Sequence, residues 1–317
     1  MSVKGIETKV LGTSATDIGI AAEIMRGGGL VAFPTETVYG LGAEAFDDAA
    51  VARIFEAKSR PSFNPLIAHI TGIEAARTLC DVSDEAERLA AAFWPGALTL
   101  VLGKRDGTGI SPLVTAGGPY LAVRAPDGDV VRSLLQEVGR PVAAPSANLS
   151  GQISTTTAEH VLAGLSGKID AIIDGGPCPI GVESTIVGFD GAPRLLRAGG
   201  LPVEAIEACL GTRLVRGHAD GRPVAPGQLE SHYAPGASVR LNAIEAQENE
   251  FLIGFGEVKG HASLSETGDL TEAASRLFHI LHKADASGRP IAVAPVPESG
   301  LGLAINDRLK RAASPRQ

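Results

Sequence analysis

Lys58 and Arg60, with one residue between them, are the side chains of this chain best suited to chemistry on a polyanion. Arg60-Pro61 leads into Asn64-Pro65, so the two cations stand beside a polar loop, where they can neutralise and hold phosphate oxygens. An isolated pair at a helix end would only complement the helix dipole; its neighbours favour the functional reading. Ser146 and Asn148 follow the apolar run Val142-Ala143-Ala144, and a small hydroxyl and an amide can bond phosphate or ribose oxygens without crowding them. Arg124 closes Tyr120-Leu121-Ala122-Val123, either as a rim charge or as a bidentate clamp on a carboxylate. His69 ends another apolar run, a position where a structural hydrogen bond is the commoner role.

Two further segments carry polar groups at strand ends. Thr35, Glu36 and Thr37 lie between Leu30-Val31-Ala32-Phe33 and the glycines Gly40 and Gly42. That puts hydroxyls and a carboxylate where open α/β sheets hold their ligands, although Thr35 and Glu36 receive no role. Gly181-Val182-Glu183-Ser184-Thr185-Ile186 adds a second carboxylate and two more hydroxyls. Thr155 or Thr156 reads as a helix cap. His279 and His282 lack a completing carboxylate or cysteine and read as surface or interdomain residues. The chain has no Walker A, GxGxxG or HExxH pattern, and no metal site built from protein side chains is expected.

Alternating strands and helices must position these groups. Strands are expected at 29–34, 65–70, 97–103, 120–125, 141–145, 171–174, 184–189 and 193–197. Helices are expected at 48–59 behind an Asp47 cap, 84–93 behind Ser83, then 127–138, 156–165 and 202–210. Asp190-Gly191 signals a hairpin, which makes the sheet mixed. From 211 to 236 glycines and prolines leave no room for regular elements, so this stretch reads as a linker touching the first domain. Beyond it, strands at 238–241, 250–255 and 290–295 with helices near 270–286 and 299–313 form a smaller α/β unit with parallel crossovers.

The bulk properties restrict the function classes. The 317 residues, 44% hydrophobic and 20% charged, suit a soluble protein of two domains. A net charge of −8 argues against extensive nonspecific nucleic-acid binding. Three scattered cysteines, Cys80, Cys178 and Cys209, make neither a disulfide framework nor a thiolate metal site. The apolar stretches are too short and broken to span a membrane, and the N-terminus lacks a signal-peptide core, so cytoplasmic residence is expected.

The motifs together resemble the long form of the threonylcarbamoyl-AMP synthase family. The matching stretches are Phe33 to Gly42, Lys58-Ser-Arg60, Asn64-Pro-Leu66, Ala144-Pro-Ser-Ala-Asn148, Gly181 to Ile186, His232-Tyr-Ala-Pro235 and Gly300 to Arg308, in an order that covers residues 14–313. The resemblance implies a YrdC-like twisted mixed open sheet with helices at 14–210, a linker contacting the active site at 211–236, and a smaller Rossmann-like α/β domain at 237–317. It implies that L-threonine, bicarbonate and ATP, the last with Mg2+, become L-threonylcarbamoyl-AMP and pyrophosphate. That product would feed N6-threonylcarbamoylation of adenosine 37 in tRNAs reading codons that begin with A.

The same resemblance implies a catalytic set of Lys58, Arg60, Ser146 and Asn148. Threonine contacts fall on Thr37, His69, Arg124, Ala144 and Ser184, and ATP contacts on Lys58, Arg60, Asn64, Tyr120, Ser146, Ser154, Arg197 and Tyr233. Ala144 and Tyr120 would offer backbone groups or apolar contact. Where many relatives carry a basic residue before the His-Tyr pair, this chain has Leu229-Glu230-Ser231. Hand-off to a tRNA threonylcarbamoyl transferase is an implied partnership, with weak or no stable tRNA binding. The competing readings are an RNA-binding module, another carbamoyl-adenylate enzyme of the hydrogenase-maturation kind, and a nonenzymatic regulator.

Overall fold

The apolar run Leu98–Lys104 forms a seven-residue strand within a twelve-stranded mixed sheet. The computed structural model describes residues 6–216 and 233–314. Tyr120–Arg124 pairs antiparallel with Leu98–Lys104, and Thr185–Gly188 pairs parallel on its other side. Ile67–His69 runs parallel to Tyr120–Arg124, with His69 opposite Arg124. Val142–Ala143, Gly40–Glu44 and Val31–Phe33 extend the sheet antiparallel. Ala171–Ile173 and Lys9–Leu11 finish one edge, and Arg194–Arg197 with Val215–Arg216 the other. Arginine-bearing ends and hydroxyl-bearing starts of neighbouring strands thereby meet on one side of the sheet.

Local chemistry accounts for the helices that flank it. Asp47 accepts from the backbone N–H groups of Ala49 and Ala50 and starts Asp48–Lys58. Ser59, in the left-handed conformation, ends that helix and turns the chain into Arg60. Ser83 caps Asp84–Phe93, whose first turn holds Asp84, Glu85 and Glu87. Thr157, beside the two threonines expected to cap, is the residue that caps Ala158–Leu165.

A second sheet has four parallel strands in the order Val239–Arg240, Ile291–Val293, Phe251–Gly254, Ala262–Ser263. Helix Leu270–Ala286 buries Ala273, Ala274, Leu277, Phe278, Leu281 and Ala284, a spacing of three and four that makes one apolar face. Helix Leu301–Ala312 joins the same core. Tyr233, Val38, Ile153 and Val182 also belong to it, so the second core reaches residues of the first sheet's polar loops.

The expected strands and helices are present, most of them shortened at their ends, and the Asp190-Gly191 hairpin joins Thr185–Gly188 to Arg194–Arg197. The structure adds strand Lys9–Leu11, which precedes residue 14, helix Ala15–Arg26, helix Ile73–Leu79 and strand Gly40–Glu44. Gly42 is a strand residue without a side chain because its neighbours fill the space. A Cβ there would lie 2.6 Å from a Phe33 ring carbon and 2.7 Å from a Val142 methyl. The stretch 211–236 is also not free of regular structure, because Val215–Arg216 pairs with Arg194–Arg197. Most of the expected linker, with His232 and Leu229 to Ser231, lies outside the described residues.

Candidate active site

Three arginines converge on one cleft. Arg60, Arg124 and Arg197 line it with Thr35, His69, Ala144, Ser146, Glu183, Ser184 and Tyr233. Backbone bonds bring the loops together: Ala147 N donates to Tyr39 O, Leu41 N to Pro145 O, and Gly181 N to Thr37 O. Gly40 and Ser146 form an isolated antiparallel bridge. The polar residues after Phe33 and after Ala144 are therefore neighbours, although more than a hundred residues separate them.

Arg124 is buried at the end of its strand, its Nη2 2.7 Å from Glu36 Oε1 and its Nε donating to Gly96 O. His69 is fully enclosed beside it. Burial, with the adjacent Arg124 charge, pulls its pKa down to about 3, so it is neutral and available as a hydrogen-bonding imidazole. Across the cleft, Arg197 donates to Ser184 O at 2.9 and 3.2 Å and to Ser184 Oγ at 3.2 Å. Ser184 Oγ also meets Thr99 Oγ1 at 2.7 Å.

Arg60 donates from Nη2 to Pro65 O at 3.0 Å. Burial, with the Arg197 charge acting in the same direction, brings its pKa down to about 10, still protonated at neutral pH. Two like charges held in a buried cleft favour an anionic guest. The side-chain amide of Asn64 is buried, and among the described residues neither its nitrogen nor its oxygen has a hydrogen-bond partner.

Lys58 plays a different part. Its Nζ, enclosed and well below the ordinary lysine pKa because of burial and then Arg60, donates to Ser146 O at 2.5 Å and also to Asn148 O. It braces the Ser146–Asn148 loop from behind. Ser146 Oγ donates to Asn148 Oδ1 at 2.5 Å, and Asn148 Nδ2 donates to Leu149 O and Gln152 O. Asn148 faces a neighbouring groove of about 890 Å3, together with Pro61, Phe63, Ser150, His160 and His282.

Most of the expected site residues come together, and a few do not. Thr37 is fully buried behind Thr35, the two Oγ1 atoms 2.9 Å apart. It is Thr35 that lines the cleft. Ser154 Oγ donates to Glu183 Oε1 at 2.6 Å and reaches the cleft only through that carboxylate. Tyr120 stands at the other end of its strand from Arg124, about 13 Å away at ~3.3 Å per residue, packed near Ile67 and Leu196. Glu36, Glu183 and Arg308, to which the sequence pattern assigns no role, carry the buried charges beside the cleft. Their positions inside quoted motifs were the available signal.

Two family models cover the chain. Residues 23–199 match the one described as "Telomere recombination", the Sua5–YciO–YrdC family, and residues 201–314 match "Threonylcarbamoyl-AMP synthase, C-terminal domain". The threonylcarbamoyl-AMP synthase of Pyrococcus abyssi is 44% identical, with 94% of each chain covered. That of Bacillus subtilis is 41% identical over 98% of this chain and 96% of its own. The chain belongs to the threonylcarbamoyl-AMP synthase family. A crystal structure of P. abyssi Sua5 complexed with L-threonine superposes with a TM-score of 0.89 at 40% identity, covering 96% of this chain and 98% of that one. Membership in this family accounts for the YrdC-like sheet and the smaller α/β unit together. Among the described residues, no helix is long and apolar enough to cross a membrane.

Proposed function

We propose that this chain makes L-threonylcarbamoyl-AMP from L-threonine, bicarbonate and ATP, the first step towards N6-threonylcarbamoyladenosine in tRNA. The observation that carries the reading is the grouping of Arg124 with Arg60 and Arg197 in one buried cleft. Arg124 suits a carboxylate, and the other two suit a polyphosphate. The relative solved with L-threonine supports the amino-acid half.

The threonine nitrogen attacks bicarbonate carbon, water leaves, and an N-carboxylate remains. One of its oxygens then attacks the α-phosphorus of ATP as the bond to pyrophosphate breaks. Both partners of that step are anions, so the site must offset charge and hold them in line. In this reading Arg124, His69, Ser184 and the backbone of Ala144 hold threonine, and Thr37 acts from behind through the Thr35 hydroxyl. Arg60, Arg197, Ser146, Asn64 and Tyr233 serve ATP, Ser154 acts through Glu183, and Asn148 and Lys58 fix the phosphate-facing loop, whereas Tyr120 stands too far along its strand to take part.

The cleft is narrow, about 40 Å3, and Asn148 stands between it and the larger neighbouring groove. The carboxylate lining the cleft, Glu183, is held by Arg308, and Glu36 behind it pairs with Arg124. They do not fit a Mg2+ ligand set, so the Mg2+ expected with ATP is assigned to the nucleotide's own oxygens. The division at 14–210, 211–236 and 237–317, cytoplasmic residence, and product hand-off to a tRNA threonylcarbamoyl transferase without stable tRNA binding complete the reading.

Pyrophosphate release by the purified protein, with threonine or bicarbonate omitted in turn, tests the proposal. Release that requires both supports it; release indifferent to either overturns it.

A further inference from the structure

Arg308, on the last helix of the second unit, is fully buried, yet it does not serve the core of that unit. Its Nε donates to Glu183 Oε2 at 2.9 Å, and its Nη1 donates to Ala198 O at 2.6 Å and to Asp307 Oδ2 at 2.9 Å. Its guanidinium carbon sits 5.4 Å from the centre of the Tyr233 ring, within cation–π range. Nη2 is buried and has no hydrogen-bond partner among the described residues. Glu183 in turn lines the cleft and takes the Ser154 hydroxyl on its other oxygen.

Two more contacts press the second unit against the same spot. His282 Nε2 lies 3.0 Å from Ser154 O, so the backbone and side chain of Ser154 are both tied towards that unit. Gly181 has a left-handed φ of +77°, and a Cβ there would stand 2.4 Å from Ser275 Cα. The helix Leu270–Ala286 thus lies against the backbone of the segment that carries Glu183 and Ser184. Tyr233 is stacked between this helix and the cleft, its ring 5.6 Å from Phe278.

We infer that Arg308 is a positioning residue for the nucleotide half of the site, which makes the second unit a structural part of the catalytic cleft. The inference rests on the proposed function and extends it. Arg308 fixes one carboxylate oxygen of Glu183; the other fixes Ser154, and the Arg308 face carries Tyr233. Burial alone would make Glu183 harder to ionise, but the charges of Arg308 and then Arg197 keep its carboxyl below the usual range. As a carboxylate it accepts from Arg308 and Ser154 together, which a neutral acid does less well. The threonine-side residues Arg124 and His69 make none of these contacts, so the two substrates should respond differently.

The test measures ATP and threonine binding separately, together with pyrophosphate release and thermal melting, for the full chain, R308M, R308K and the surface control K310M. Lys310 is exposed and pairs with Glu298. R308M is expected to weaken ATP binding roughly tenfold or more, with threonine binding within about threefold of native. R308K, which keeps the charge, should recover most of the ATP affinity, and K310M should match the native chain. A folded R308M that binds ATP as the native chain does overturns the inference, even if its melting temperature falls. So does an equal loss for both substrates. Should R308M lose its cooperative melt, E183Q carries the same expectation and the same refutation, because it removes the charge while keeping the shape. A native chain that binds no ATP refutes the proposed function itself and the inference with it.

Discussion

Arg124 Nη2 and Glu36 Oε1 lie 2.7 Å apart, with both side chains more than nine-tenths buried. The arginine proposed to take the threonine carboxylate therefore faces a carboxylate of the protein itself. Removing one member of such a pair strands the other, at a cost of about 3–5 kcal/mol. E36Q is expected to be less stable by roughly that amount in chemical denaturation without ligand. Added threonine should restore more stability to E36Q than to the native chain, since it supplies the missing negative charge. An E36Q protein with native stability and a native threonine response would contradict the pairing.

R124M should lose threonine binding while ATP binding stays within a few-fold, because Arg60 and Arg197 lie across the cleft. The cost in kcat/KM for threonine should reach about a hundredfold or more, or ~3 kcal/mol. Separate titrations of the two substrates measure this.

His69 predicts a pH dependence of stability. Its folded pKa of about 3 lies below the ordinary 6.5, so between those values the unfolded chain binds the proton and the folded one does not. Its contribution is complete above pH 6.5 and is lost as pH falls towards 3, at up to ~1.4 kcal/mol per pH unit. H69Q should flatten that part of the acid-side curve, as read from denaturation midpoints between pH 7 and 4. A curve for H69Q as steep as the native one there would remove His69 from the account.

K58M should disable catalysis without unfolding the chain's main sheet. Lys58 holds the carbonyls of Ser146 and Asn148, so its loss frees the loop and leaves two acceptors without a donor, costing about 1–3 kcal/mol. ATP-dependent pyrophosphate release should fall by roughly a hundredfold, and the melt should stay cooperative. Full activity in K58M would show that the loop needs no brace.

Y233A should weaken ATP binding more than Y233F does. The ring packs on Phe278 and under Arg308, contacts that phenylalanine keeps. Alanine also leaves a cavity, so its stability should drop by about 3–5 kcal/mol. Calorimetric ATP titration and thermal melts of the two variants measure both expectations.

Much of this architecture was legible because its signals are local. Asp47 and Ser83 cap the helices their spacing announced, and Asp190-Gly191 turns the hairpin it signals. Gly40–Glu44 was not legible: a strand made with two glycines has no propensity signal, and only Phe33 and Val142 filling the space reveal why no side chain is there. Lys9–Leu11 and Val215–Arg216 are two or three residues long and exist through their pairing partners. In the cleft, strand-end arginines and hydroxyls announced themselves by type and position. Whether Lys58 faces phosphate or braces a loop did not, because a lysine at a helix end reads alike in both cases.

The residue types and their order determined by themselves that two α/β units would form and that cations, hydroxyls and amides would end their strands. Periodicity, caps and motif spacing are properties of neighbours along the chain. Tertiary structure decided which partner each charge found: Arg124 with Glu36, Lys58 with the Ser146 and Asn148 carbonyls, and Arg308 of the second unit with Glu183 of the first. Those pairings join residues 88 to 125 positions apart. They follow from the cost of burying a charge alone, which is set by what surrounds it in space.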